Sequence, residues 1–191
     1  MNFHDIADKY VKDLAALLGQ VDLTVLERVV QCFRRIRDDG SMIFVAGNGG
    51  SSATASHWVN DLNKATRRSG QRAVRAVCLT DSTPWLTALA NDEGFERVFV
   101  AQLENLARPG DVLVVISASG RSPNLVNAVD FARSNEVLTV GFLGFDGGVL
   151  KSMVNECIWV PSEIGAYGLV ESAHTVLCDI VTTCLIHDQR R

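Results

Sequence analysis

The chain has no cysteine pair to staple it. Its five cysteines, Cys32, Cys78, Cys157, Cys178 and Cys184, are odd in number and scattered, with none at metal-knuckle or redox spacing. That excludes a disulfide framework and a cysteine-ligated zinc, and leaves reduced, mostly core thiols of a cytoplasmic protein. Nor is a leader expected here: Met1-Asn-Phe-His-Asp-Ile-Ala-Asp-Lys9 carries charges where a signal peptide needs an apolar run. No segment reads as long and apolar enough to span a bilayer, so no membrane partner is expected. Basic charge is scarce, the formal net charge being -4, which argues against a nucleic-acid binder that neutralises phosphates. One basic group, Lys64, Arg67, Arg68, Arg72 and Arg75, stands out. It reads as a solvated linker between a helix and the next strand, with a funnel for an anionic substrate as the other reading.

What the chain does have is core. Its 191 residues are 47% hydrophobic and 21% charged with no linker between segments, so residues 1–191 read as a single domain. Ile6, Tyr10, Leu14, Leu17 and Leu18 recur at helical spacing over about Phe3–Leu18, and the pattern returns over Leu23–Ile36 after a break at Gly19–Asp22. A helical hairpin within residues 1–38 is predicted. Strand-like runs then follow at Met42–Ala46, Ala73–Leu79, Val112–Ile116, Val137–Phe142 and Cys157–Val160, with helices between and a long apolar helix over about Gly168–His187. This alternation predicts an α/β fold, a five-stranded parallel sheet covered by helices on both faces.

The strand ends carry the polar material, and in such sheets ligands bind at the carboxyl ends of strands. Ser41-Met-Ile-Phe-Val-Ala-Gly-Asn-Gly-Gly-Ser-Ser52 is a strand running into a glycine-rich loop and then a helix. Gly47, Gly49 and Gly50 allow bare N–H groups to approach a ligand, the helix offers its positive end, and Ser51 and Ser52 add hydroxyls. The anion is not a nucleotide's: a dinucleotide loop wants glycine at Ser52 and an earlier acid than Asp81, and the lysine of a P-loop is absent. A second loop, Ser117-Ala-Ser-Gly-Arg-Ser122, with Pro123 placed to open a helix, makes a compact cup for a single phosphate. Downstream of the first loop, His57 and Asp61 lie four residues apart on one helix face, either as an exposed pair or as chemistry beside a bound sugar phosphate.

Taken in order, Gly47-Asn-Gly-Gly-Ser51, His57, Asn91-Asp92-Glu-Gly-Phe95, Ile116-Ser-Ala-Ser-Gly-Arg-Ser122 and Gly144-Phe-Asp-Gly-Gly148 resemble the motif set of the sugar isomerase (SIS) domain. The branch they are most similar to is the phosphoheptose isomerases. The resemblance implies a flavodoxin-like three-layer sandwich, assembled as a homotetramer with active sites at subunit interfaces. It implies conversion of sedoheptulose 7-phosphate to an aldoheptose 7-phosphate through an enediol, with Asn48, Gly49, Gly50, Asn91, Asp92, Ser117, Ala118, Ser119, Ser122 and Glu171 at the substrate. It also implies a divalent metal, zinc above all, held by His57, Asp61, Glu171 and Asp179, with Asp61 and Asp179 doubling as catalytic acid and base.

The chain departs from the common pattern here, which has glutamate at Asp61, glutamine at Glu171 and histidine at Asp179. One imidazole and three carboxylates make a harder, more anionic site that suits zinc and also manganese or magnesium. On a regular helix Glu171 and Cys178 point the same way while Asp179 is rotated by about a quarter turn; a gapless reading still selects Asp179. His174 reads as a core or interface histidine, and Gly168 replaces a family aspartate that supports Asn91-Asp92. The alternative function is a non-catalytic SIS adaptor or sugar-phosphate sensor resembling the DnaA-binding replication regulator.

Overall fold

The computed structural model describes residues 2–67 and 71–187; Arg68 of the basic group lies outside them. The hairpin comes first. Helix α1 (Phe3–Leu18) opens on a capping box in which the Asp5 N–H donates to Asn2 Oδ1 at 3.0 Å and the Asn2 N–H donates to Asp5 Oδ2 at 3.3 Å. Helix α2 (Leu23–Asp39) is capped by Asp22, which accepts from the Thr24 N–H at 2.8 Å. It stops at Gly40, whose φ of 78° is the left-handed turn that points the chain into the sheet.

Then the alternation begins: β1 (Met42–Gly47), α3 (Gly50–Ala65), β2 (Arg75–Cys78), α4 (Thr83–Asp92), a 3-10 turn at Phe95–Arg97, α5 (Val100–Leu106), β3 (Val112–Ser117), α6 (Pro123–Ser134), β4 (Leu138–Leu143), α7 (Leu150–Met153), β5 (Glu156–Trp159) and α8 (Tyr167–Ile186). The five strands are parallel in the order β2-β1-β3-β4-β5. The second strand is shorter than its apolar run, and β1 reaches one residue further, into Gly47.

Period-two alternation sorts the strand residues into two cores. Ile43, Val45, Val112, Val114 and Ile116 face α2, α3 and α8 in a cluster with Phe33, Trp58 and Leu177. Phe44, Ala46, Leu113 and Val115 face the other way, with Phe99, Leu103 and Leu125. With both faces covered, the fold is the three-layer sandwich expected from the sequence. The Trp58 ring stands edge-on to Phe142, with centroids 5.1 Å apart, and its Nε1–H donates to Thr182 Oγ1 at 3.0 Å, locking α3 to α8. A second bond between these helices joins Thr54 and Thr175 hydroxyls at 3.3 Å.

One expectation needs correction. Helix α8 is in fact long and apolar enough to cross a membrane by length and composition, with a mean hydropathy of 1.5. Its apolar side chains have another use: Ala173, Leu177, Val181 and Leu185 are buried against α2, α3 and the sheet, and Val170 against Ala118 and Phe145. Of the basic group, the described residues Arg72 and Arg75 fit the linker reading and not the funnel. Arg72 donates to the Asp38 carbonyl at 3.3 Å and Arg75 to the Gly40 carbonyl at 2.7 Å, both at the opposite, amino-terminal edge of the sheet.

Candidate active site

The sheet order reverses at β1, whose neighbours β2 and β3 continue the chain on opposite sides, so the loops after β1 and β3 part and open a crevice between them. A cavity of about 150 Å³ occupies it, walled by Asn48 and Ser51 from one loop and by Ser117, Ala118, Ser119 and Ser122 from the other. Tyr167 and Glu171 of α8 close the third side. Six of the expected substrate residues and Glu171 therefore meet in one place.

Glycine makes each loop possible. Gly49 takes φ 54° as it enters α3, and a Cβ on Gly47 would come within 2.7 Å of the Ser51 backbone. Gly120, at φ 61°, lies flat against the next loop, where any Cβ would collide with the Gly147 carbonyl. That next loop buttresses the cup: the Leu150 N–H donates to the Gly120 carbonyl at 3.1 Å, and Arg121 donates to both carboxylate oxygens of Asp146 at 2.9 and 2.6 Å.

The hydroxyls divide their duties. Ser117 Oγ accepts from the Gly120 N–H at 3.0 Å and Ser119 Oγ from the Arg121 N–H at 3.4 Å, so both shape the turn while facing the cavity. Ser122, at the amino end of α6, makes no side-chain capping bond and lines the cavity. Ser52 does not line the cavity; its hydroxyl donates to the Gly49 carbonyl at 2.7 Å.

Glu171 is the only charged side chain among the cavity walls, and it packs directly over Gly50, where a Cβ would strike its carboxylate. The positive end of α3 thus already faces an anion from the protein itself. On the other side of the cavity α6 opens on Pro123, which has no N–H, and the Leu125 and Val126 N–H groups both donate to the Ser122 carbonyl at 3.0 Å, so serine side chains supply the polar wall there.

The other expected residues lie elsewhere. His57 Nε2 and Asp61 Oδ2 pair at 3.2 Å on α3, and Asn60 Nδ2 donates to Asp61 Oδ1 at 3.0 Å. Helical rise puts His57 about 10 Å and Asp61 about 16 Å along the axis from Gly50, on nearly the same stripe of α3. Asn91 donates to Asp92 Oδ1 at 2.6 Å; both are exposed and neither reaches the cavity. Asp179 is exposed. The four expected metal donors are not gathered: among the described residues, no group of three or more His, Cys, Asp or Glu side chains is placed to hold an ion. The reason is register, since Gly50 lies against Glu171 and Thr54 against Thr175, which sets the His57–Asp61 pair two to three turns from Glu171.

His174 is core, as one sequence reading had it: it is fully buried, edge-on to Phe142 with centroids 6.4 Å apart. Neither ring nitrogen has a partner within hydrogen-bonding geometry, and burial holds its pKa down at about 4, with the nearby Leu143 backbone acting in the opposite direction. Its neighbour Cys178 is likewise buried, its thiol pushed well up first by burial and then by the Asp179 charge. Sequence reasoning missed Tyr167, one turn before Glu171, and Asn124, directly after Pro123. Asn124 is 1% exposed and exchanges two hydrogen bonds with Asn48, Nδ2 to Oδ1 at 2.9 Å in each direction. A polar residue just inside a helix that follows a phosphate cup was the available signal.

Residues 9–144 match the family model of the SIS domain. The chain is 39% identical over 170 residues to a phosphoheptose isomerase of Roseiflexus sp., covering 87% of this chain and 83% of that one. It is 37% identical to a phosphoheptose isomerase of Geotalea daltonii, covering 91% of each. Among solved structures it superposes on the phosphoheptose isomerase GmhA from Neisseria gonorrhoeae with a TM-score of 0.87 at 26% identity, over 96% of this chain and 98% of that one. With its glycine and serine loops meeting at the switch point of the sheet, the chain belongs to the SIS-domain family and, within it, to the phosphoheptose isomerases.

Proposed function

We propose that the chain converts sedoheptulose 7-phosphate into an aldoheptose 7-phosphate in the cytoplasm, acting as a single domain over residues 1–191. The observation that carries this reading is the cavity of neutral donors at the start of α6, with an imidazole–carboxylate pair further along α3 on the stripe that leads away from it. Size supports a seven-carbon substrate. An extended carbon chain advances ~1.2 Å per bond, much as a polypeptide backbone does, so the carbonyl end of such a sugar lies about 8–10 Å from its phosphorus. The axial rise along α3 from Gly50 to His57, about 10 Å, is of that order.

In this reading the Ser119 and Ser122 hydroxyls hold the phosphate at the amino end of α6, while Asn48 and Ser51 orient the polyol. Asp61 takes the proton from C1, the C2 carbonyl oxygen gains one to give the enediol, and return of a proton to C2 with loss of the O1 proton gives the aldose. Asp179 is the second proton carrier, and Asn91 and Asp92 contact the substrate across an assembled interface. The adaptor alternative draws no support from relatives that are isomerases. Incubation with sedoheptulose 7-phosphate should yield aldoheptose 7-phosphate by NMR; no product at high enzyme concentration would end the proposal.

The same reading makes the active form a homotetramer with sites at subunit interfaces. Support comes from α1, which buries no residue and exposes Phe3 (77%), Ile6 (54%) and Val11 (67%), and from the exposed Ile164 (78%). Light scattering should give four times the 20.8 kDa chain mass; a monomer at micromolar concentration refutes it. A divalent cation, zinc by family likeness, also belongs to the reading. The donor chemistry of His57, Asp61, Glu171 and Asp179 suits it, but their placement in one chain does not, so no step above runs through a metal. Protein purified without chelator should carry about one divalent ion per chain, and metal analysis finding none removes the cation.

A further inference from the structure

The carboxamides of Asn48 and Asn124 close a ring of two hydrogen bonds, each 2.9 Å, that spans the crevice from the β1 loop to the first turn of α6. Only Asn48 lines the cavity; Asn124 is 1% exposed and lies behind it. We propose that Asn124 is a positioning residue that acts on the ligand through Asn48. Each carboxamide has two N–H donors and two acceptor lone pairs, and the ring uses one of each. Asn48 is left with one donor and one acceptor for the cavity, in a fixed plane.

Without its partner, the terminal torsion of Asn48 is broad and two-fold, and the side chain would have to be ordered on binding. The ring does that ordering beforehand. It also ties the glycine loop to the frame of α6, whose φ is set at its first residue by Pro123 and whose amino end takes the phosphate. The two halves of the cup are thereby held in one register, although they are contributed by different strands. The ligand side of this inference rests on the isomerase reading; the ring itself does not.

The test is a double-mutant cycle with Asn48→Ala, Asn124→Ala and the double variant, with Asn124→Leu as a shape-filling second variant in case the alanine does not fold. Turnover of sedoheptulose 7-phosphate and solvent exchange of the Asn48 side-chain NH2 are both measured, the latter by 15N NMR. Asn124→Ala should raise KM about 10-fold while kcat stays within about twofold, the size of effect that one or two lost orienting hydrogen bonds produce. In the Asn48→Ala background the same change should cost less than about twofold, because its route of action is gone. The Asn48 NH2 should exchange at least about 10-fold faster when Asn124 is replaced, as for a group released from a closed opening equilibrium. An equal loss in both backgrounds, or unchanged exchange, overturns the proposal. A wild type that turns over no sugar defeats the isomerase reading instead, and the exchange rates alone then decide whether the ring positions Asn48.

Discussion

Asp61→Asn is expected to lower kcat for sedoheptulose 7-phosphate by about 10³-fold, within the range that a positioned general base supplies. The substitution keeps size and shape, so far-ultraviolet circular dichroism and the melting temperature should stay close to those of the wild type. Asp61 sits on the exposed side of α3, where it accepts from Asn60 at 3.0 Å and meets His57 at 3.2 Å; an amide can replace a carboxylate there without burying an unpaired group. KM should move much less than kcat, because Asp61 is not among the residues that wall the cavity proposed to take the phosphate. A variant that retains more than about a tenth of wild-type kcat would show that a different group moves the carbon-bound proton.

Acid should cost this fold more than its carboxylates alone require, and His174 is the reason. Its pKa is about 4 in the folded chain, against an ordinary 6.5 once unfolded. As pH falls below about 6.5 the unfolded chain takes up a proton that the buried imidazole refuses, so stability declines until about pH 4 and the group then contributes no further slope. The full loss is about 3 kcal/mol. In urea titrations at pH 7, 5.5 and 4.5, His174→Leu should flatten this part of the pH dependence by removing the imidazole at similar volume. Equal slopes for wild type and variant would show that the burial of this ring is relieved in solution.

The parts of the molecule legible in the sequence are those decided locally. The first helix begins and ends at Phe3 and Leu18 as its spacing predicts, because Asn2 and Gly19 supply chemistry for stopping as well as starting. The sandwich follows from alternation, and each strand splits its residues between two cores. The loops after β1 and β3 meet because parallel sheets collect their strand ends on one rim. Matters that depend on register between helices were not legible. Nothing in the spacing of His57, Asp61, Glu171 and Asp179 says that Glu171 lies against Gly50, which separates it from the pair on α3. Asn124 was hidden for a similar reason: its importance depends on a partner across the crevice, 76 residues away. Helix α8 was underread: it is long and apolar enough by composition to cross a membrane, and that apolarity serves its packing against α1, α2, α3 and the sheet.

The crevice between β1 and β3 also has a kinetic meaning. Its strands pair Ile43 with Val112, about seventy residues apart in sequence, a connection that closes late because loop entropy must be overcome first. No partly folded form lacking that pairing contains a cup. A phosphate ligand can therefore do little to hasten folding, yet once seated it bridges the two strands that must separate for the chain to come apart. Occupancy of the site should lengthen the lifetime of the native state, making substrate supply itself a guard against unfolding and proteolysis.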